Sequence, residues 1–236
     1  MHILGKPSST TLPALVAALL FNGAAGAQIS GLCNTGQTVK TAAGCTGELV
    51  APNPTGGGPN RDGNWKLAYP YPIGLPNAHA PCVLRTFVSA WVDTPPESWL
   101  PESVSTASEW VTPHDGEGNQ PQGYYVYAIS FPVPSVLPGG GVPTGLSVNG
   151  QLAADNLVYG IYLESPAFSD HCELVSNQQF PVGNLSNWSP FSFESAFELT
   201  PGKNALLLFV VENAPSNGYP NATGFRVEFS PSSAFF

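Results

Sequence analysis

The chain has 236 residues, of which 42% are hydrophobic and only 10% are charged, and its formal net charge at pH 7 is −9. This acidic excess argues against binding to nucleic acid or to anionic membranes, because both need a surplus of Lys and Arg. The hydrophobic content excludes a disordered chain, and the length suits one all-β domain.

The N-terminus predicts export. Lys6 supplies a short basic region, residues 12–21 form an apolar run, and residues 25–27 (AGA) match a cleavage site of small residues. This order is that of a secretory signal peptide, and the run is too short to span a bilayer. We therefore expect a signal peptide over residues 1–27. Residues 28–236 are expected to form a single secreted, periplasmic or extracellular domain without membrane insertion. A buried N-terminal helix is the alternative.

Period-two alternation predicts several strands in the mature chain. The 25 Gly and 25 Pro residues break helices and favour short strands joined by turns. Residues 83–92 predict one strand, and residues 206–211, apolar throughout, predict a central one. In four more strands one face is expected on a core and the other in solvent. The predicted core-facing residues are Tyr125, Tyr127, Ile129 and Phe131; Leu157, Tyr159, Ile161 and Leu163; Phe191, Phe193 and Phe197; and Phe225, Val227 and Phe229, which alternate with Arg226 and Glu228.

Many short strands separated by turn signals favour an all-β fold, an antiparallel β-sandwich or jelly roll. Residues 28–64 are rich in Gly, Asn, Thr and Pro, and we interpret them as a first strand followed by a loop.

The four cysteines of an exported chain predict disulfides. Three pairings are possible. We favour Cys33–Cys45, which closes a short polar loop, and Cys82–Cys172, which joins two strand regions. Free buried thiols are the alternative, and a zinc site is disfavoured because no C-x-x-C or His pair at ligand spacing occurs.

Several short motifs occur in a recognisable order. They are Asn34-Thr35-Gly36, Asp62-Gly63-Asn64-Trp65, Ser108-Glu109-Trp110-Val111, Gly123-Tyr124-Tyr125-Val126-Tyr127, Gly150-Gln151-Leu152-Ala153-Ala154-Asp155-Asn156, Pro201-Gly202-Lys203-Asn204-Ala205-Leu206 and Asn221-Ala222-Thr223-Gly224-Phe225. This order resembles a group of exported bacterial proteins, many of which end in a Pro-Glu-Pro (PEP-CTERM) sorting tail.

The resemblance implies a galactose-binding-like β-sandwich, the jelly-roll fold also used by many carbohydrate-binding modules. The chain departs from the pattern in two places. It has no sorting tail, and Glu164-Ser165 stands where the group often has Asn-Gly.

Aromatic side chains are the main candidates for a ligand site, because their rings can stack on a sugar while polar neighbours fix its orientation. Trp65 and Trp110 fall in the recurring motifs and are expected in the core. The candidate ligand-binding residues lie nearer to loops, and they are Trp91, Trp99, Trp188 and Tyr71. Core packing is the alternative for each of them.

A bound calcium ion is possible, because related jelly-roll modules often hold one and loop oxygens suit it. Asp62 and Asp155 are the candidate ligands, although Asp is also a common turn residue. No other cofactor is indicated. Asp155 and Glu228 are conceivable as the carboxylate pair of a glycosidase. The G-x-S-x-G motif of serine hydrolases does not occur in the sequence. We name no catalytic residue.

The sequence thus predicts a secreted non-catalytic module whose partner is extracellular or cell-envelope carbohydrate. The alternative is a structural or adhesive extracellular protein that binds other proteins. A glycoside hydrolase is the third hypothesis.

Overall fold

The computed structural model describes residues 27–37, 40–41, 44–45, 47–51, 60–71, 86–114, 120–166, 172–176, 185–195, 199–214 and 221–235. Its strands are β1 (Ala27–Gln28), β2 (Lys40–Thr41), β3 (Gly44–Cys45), β4 (Arg61–Tyr71), β5 (Val88–Val92), β6 (Val111–Thr112), β7 (Gly123–Pro132), β8 (Gly145–Asp155), β9 (Leu157–Glu164), β10 (Glu173–Ser176), β11 (Ser189–Ser195), β12 (Asn204–Asn213), β13 (Gly224–Phe229) and β14 (Ser233–Phe235). One 3₁₀ turn, Glu102–Val104, lies between β5 and β6.

The strands form two antiparallel layers. Layer one has the order β5-β4-β7-β12-β9-β10. In layer two, β8 pairs with β11 on one edge and with β13 and β14 on the other. The short strand β6 pairs with both β13 and β5, and so joins the layers at one corner. The predicted all-β antiparallel sandwich of jelly-roll type is confirmed.

One hydrophobic core lies between the layers, and Trp65 on β4 is near its centre. Its ring is fully buried, with ring centroids 5.5 Å from Phe225 and 5.7 Å from Phe209. Its Nε1 donates to Cys33 O at 3.0 Å, so the ring is held by both packing and a hydrogen bond. Removing such a side chain costs about 3–5 kcal/mol. Both Trp65 and Trp110 are fully buried as expected, Trp65 in the core between the layers and Trp110 in a separate cluster with Trp99, Leu100 and Ala153.

Alternation on β7 is confirmed for its core face but not for its other face. Tyr125, Tyr127, Ile129 and Phe131 are buried between the layers. The opposite face was expected to be wet, yet Val126 and Ala128 are also buried. They belong to a second apolar cluster on the outer face of layer one, which we call the outer cluster. Its buried members are Ala68, Val126, Ala128, Tyr162, Cys172, Leu208 and Val210.

The predicted core position of Tyr159 is wrong. The pairing of β9 with β12 shifts by one residue, with Val210 opposite Gly160 but Val211 opposite Val158. A bulge of this kind reverses the side-chain alternation beyond it. Val158 is therefore buried, whereas Tyr159 is 39% exposed and packs edge-on against Tyr124.

The disulfide Cys33–Cys45 is confirmed. Cys172 is buried and is also disulfide-bonded, and its predicted partner Cys82 lies outside the described residues. The predicted signal peptide lies outside them too, apart from Ala27 in β1. Within the described part of the chain, no helix has the length and apolar character needed to cross a membrane.

Candidate functional site

A groove of about 480 Å³ lies on the outer face of layer one, among the residues that the structure describes. We call it the outer-face groove. Such a volume is in the usual range for small-molecule sites, about 300–1,000 Å³. Its lining residues are Ser30, Gly31, Gly63, Asn64, Lys66, Phe87, Ala128, Ser130, Pro132, Asn204 and Leu206.

Strand register places the floor of the outer-face groove. Ala128 on β7 is opposite Lys66 on β4, and Ser130 is opposite Leu206 on β12. Alternate residues of a strand share one face, so these four side chains point away from the core. Because Ala128 and Ser130 are small, the middle strand leaves a depression between the longer side chains on its two neighbours.

One wall of the groove is formed by Phe87, the residue that precedes β5. Phe87, Ser89 and Trp91 alternate along the chain, while Val88, Ala90 and Val92 pack in the core. Phe87 is half-buried, lines the groove and packs on the outer cluster. The structure therefore places the predicted ligand residue Trp91 on the same face as the groove, two positions beyond Ser89.

Polar groups surround the apolar floor. The Nδ2 of Asn64 donates to Gln37 O at 2.8 Å, which orients this amide at the groove. Lys66 Nζ donates to Ser89 Oγ at 2.8 Å and to Gly63 O at 3.4 Å. The exposed Asn204 supplies a further amide. The groove thus combines a ring, an apolar floor and several hydrogen-bonding side chains.

The ring of Trp91 also makes a cation–π contact with Arg61. The guanidinium carbon of Arg61 lies 4.0 Å from the centroid of the Trp91 ring, and Arg61 Nη1 donates to Ser89 O at 3.2 Å. Arg61 is directly opposite Trp91 in the β4–β5 pairing, which explains the stacking. One face of this ring is therefore occupied by the chain itself.

The other two predicted tryptophans lie on the outer face of layer two, away from the groove. Trp99 is 4% exposed, and its ring centroid is 4.4 Å from that of Trp110. Trp99 as a ligand platform stays a prediction, with most of its ring buried against Trp110. Trp188 is half-buried, with the Arg226 guanidinium 5.2 Å from its ring centroid. Tyr71 pairs with Tyr124 through the β4–β7 register, and its side chain is outside the described residues.

The carboxylate of Asp62, a candidate calcium ligand, accepts hydrogen bonds from the backbone instead. Its Oδ2 accepts the N–H of Gly36 at 2.6 Å, and its Oδ1 accepts those of Asn64 at 2.7 Å and Trp65 at 2.9 Å. Burial raises the pKa of Asp62, and the three N–H donors oppose that rise. Oδ1 has both of its lone pairs engaged, which argues against this carboxylate as a bidentate metal ligand.

Asp155 lies at the end of β8, in different surroundings from Asp62. Burial raises its pKa to about 6, and a hydrogen bond from the Trp99 side chain opposes the rise. Its Oδ1 is buried without a hydrogen-bond partner among the described residues. Within the same residues, no group of three or more His, Cys, Asp or Glu side chains is placed to hold a metal ion. Calcium binding stays a prediction.

Arg226 was expected on a wet face and is instead fully buried. Its Nε donates to Ser108 Oγ at 2.8 Å, and its Nη2 donates to the carbonyls of Ser108 at 2.7 Å and Ser105 at 3.0 Å. Nη1 donates to Pro101 O at 3.2 Å. The loop between β5 and β6 therefore wraps the guanidinium, and this long-range contact gives no signal in the local alternation of β13.

The carboxylates on this face are not arranged for glycoside hydrolysis. Glu228 faces Gln151 and Asp155 faces Gly224 in the β8–β13 pairing, so the two acids are four positions apart, about 13 Å along the strands. Glu109 and Glu102 are instead within hydrogen-bonding reach of each other. That is closer than the separation of about 5 Å or more that glycosidases use.

Burial raises the pKa of Glu109 to about 8, the neighbouring Glu102 carboxyl adds to the rise, and Arg226 opposes it. Glu109 is 9% exposed and packs against Gly36. A pair without room between its carboxyls, one of them buried and the other half-buried, fits a structural role better than a catalytic one.

No protein-family model matches the chain, and no curated protein matches it. Among solved structures, a CBM35 module from Paenibacillus barcinonensis is similar at 20% identity, covering 61% of this chain and 92% of its own, with a TM-score of 0.29. A family 29 carbohydrate-binding module is similar at 13% identity, covering 72% and 90%, with a TM-score of 0.30.

An arabinose-bound family 51 α-L-arabinofuranosidase is similar at 12% identity over 90% of this chain but 30% of its own, with a TM-score of 0.37. At such scores none of these superpositions assigns a ligand site to this chain.

Most residues that line the groove were not predicted from the sequence. Phe87 is one of 13 phenylalanines, and no pattern singled out Lys66. The available signal was the outward alternation of Phe87, Ser89 and Trp91 along a predicted strand. The opposing wall, at Asn204, becomes a neighbour only through the pairing of β7 with β12.

Proposed function

We propose that this protein is a secreted, non-catalytic module that binds carbohydrate in the outer-face groove. The observation that carries the proposal is the composition of the groove, which places the Phe87 ring and an apolar floor beside the amides of Asn64 and Asn204.

A pyranose ring presents both kinds of surface at once. Its C–H faces can pack on Phe87 and on the floor formed by Ala128 and Leu206, while its hydroxyls can bond to the surrounding amides. Ligand sites commonly combine an apolar lining with a few placed polar groups that fix orientation.

Export is supported by the predicted signal peptide and by the Cys33–Cys45 disulfide, because such bonds persist in oxidising compartments. The absence of catalysis is proposed from the carboxylates described above, which are either far apart, as with Asp155 and Glu228, or within hydrogen-bonding reach of each other, as with Glu102 and Glu109.

The test is binding of the mature chain, residues 28–236, to a panel of polysaccharides by isothermal titration calorimetry. Phe87→Ala is expected to weaken the binding about tenfold, since loss of one stacking ring removes roughly 1–1.5 kcal/mol. Asn204→Ala, at an exposed position, is expected to weaken it without affecting folding.

Tyr159→Ala is the matched control, because it removes an exposed ring from the same layer, on β9 rather than beside β5. A folded protein that binds no polysaccharide would contradict the proposal. Self-association of that protein would then favour the adhesive alternative.

A further inference from the structure

We infer that the outer-face groove selects acidic polysaccharide, whose sugar units carry an anionic group. This inference rests on the proposed function and deepens it. It is motivated by two cations that hydrogen-bond to Ser89, two positions along the chain from Phe87 in the groove wall; one of the two, Lys66, lines the groove itself.

The two cations are close together. Lys66 Nζ donates to Ser89 Oγ at 2.8 Å, and Arg61 Nη1 donates to Ser89 O at 3.2 Å. Both acceptor oxygens belong to Ser89, so the two cations are held beside the same residue of β5. Ser89 lies between Phe87 and Trp91 on the same face, so a sugar stacked on Phe87 directs its substituents toward this pair of charges.

The described contacts leave the charge of these cations available. The partners of Lys66 are neutral oxygens, and those of Arg61 are a carbonyl and the Trp91 ring. Asp62 is the carboxylate that Lys66 influences, but its oxygens already accept three backbone N–H groups. The carboxylate of Glu164 is beyond Leu206 on the far side of the groove and has its own partner.

The two side chains at Ser89 are positive, whereas the chain as a whole is negative. The sequence has 16 Asp and Glu but only seven Lys and Arg, and two of those seven meet at Ser89. An overall net charge of −9 repels polyanions, so a local pair of cations would be needed to admit one. Charge complementarity of this kind contributes selectivity, and salt weakens it where the groups are exposed.

The experiment compares polygalacturonate with its methyl-esterified form, which keeps the polymer backbone and removes the charge, and compares dextran sulfate with dextran. We expect at least one anionic polymer to bind about tenfold tighter than its neutral counterpart at low salt, and about half of that gain to vanish at 0.5 M NaCl. The polymer that gains identifies carboxylate or sulfate as the anionic group.

The double variant Arg61→Met and Lys66→Met is expected to lose this preference while still binding the neutral polymer. Met preserves much of the apolar stem of each side chain. Tyr159→Ala, which removes an exposed ring from β9, should retain the preference.

The outcomes separate the two proposals. Equal binding of charged and neutral polymers would overturn the acidic preference while leaving carbohydrate binding intact. A preference that survives in the double variant would overturn the assignment to these cations. An absence of binding to every polymer would overturn both proposals.

Discussion

Replacing Asp62 should reveal how the N-terminal segment is fastened to the sheet. Its carboxylate accepts the backbone N–H groups of Gly36, Asn64 and Trp65 at 2.6, 2.7 and 2.9 Å. Asp62→Ala leaves these three donors without their acceptor in a buried site. Each unsatisfied buried donor costs about 1–3 kcal/mol, and partial relaxation makes about 3–5 kcal/mol the expected total.

Asp62→Asn is a more informative substitution than Asp62→Ala. It keeps Oδ1 as an acceptor but turns Oδ2 into an NH₂ group that faces the Gly36 N–H. One hydrogen bond is lost and two others are retained, so the expected cost is about 1–3 kcal/mol. At roughly 2–4 °C per kcal/mol for a domain of this size, Asp62→Ala should lower the Tm by about 6–20 °C, and Asp62→Asn by less.

The assay is thermal and urea unfolding followed by circular dichroism, with Glu97→Ala at an exposed position as the control. The control is expected to stay within about 0.5 kcal/mol of the parent. A cost below 1 kcal/mol for Asp62→Ala would refute the reasoning. The effect should be the same in EDTA and in calcium, whereas a calcium-dependent Tm that vanishes in Asp62→Ala would restore this residue as a metal ligand.

Three further predictions concern the same region. Burial and the nearby Glu102 raise the pKa of Glu109 from 4.5 to about 8, so the folded state holds a proton that the unfolded state has lost. Stability should therefore fall as pH rises from about 4.5 to 8, and Glu109→Gln should raise the Tm by several degrees at pH 8 but hardly at pH 4.5. A benefit independent of pH would count against this cause. The disulfide Cys33–Cys45 spans 12 residues, so the double Ala variant should lose about 2–4 kcal/mol in urea unfolding. An unchanged midpoint would show that its loop is constrained by other contacts. At Gly36, φ is +80° and an added Cβ would lie 2.5 Å from Glu109 Cβ, so Gly36→Ala should destabilise by about 1–3 kcal/mol, and a neutral result would contradict the packing.

The alternation of apolar residues along a strand and the short spacing of two cysteines were sufficient to predict some parts of the fold. The alternation of Tyr125, Tyr127, Ile129 and Phe131 marked the core face of β7, and the pairing of Cys33 with Cys45 followed from a short polar loop. The same reasoning failed for Tyr159, because a bulge depends on the pairing partner and not on the strand alone.

Other features depend on contacts between residues far apart in sequence. Arg226 is buried because carbonyls more than 100 positions away satisfy its guanidinium. Trp99 packs on Trp110 after the chain folds back, although the sequence placed it in a loop. The groove requires Ser130 and Leu206 side by side, and only the strand order provides that proximity.

The most direct test of carbohydrate binding in the outer-face groove is calorimetric titration of residues 28–236 with the tightest-binding polysaccharide, repeated with Phe87→Ala and Tyr159→Ala. We expect saturable binding that is about tenfold weaker in Phe87→Ala and unchanged in Tyr159→Ala. Equal affinity of the Phe87→Ala protein and its parent would show that the ligand binds elsewhere, and the outer-face groove would lose its proposed role.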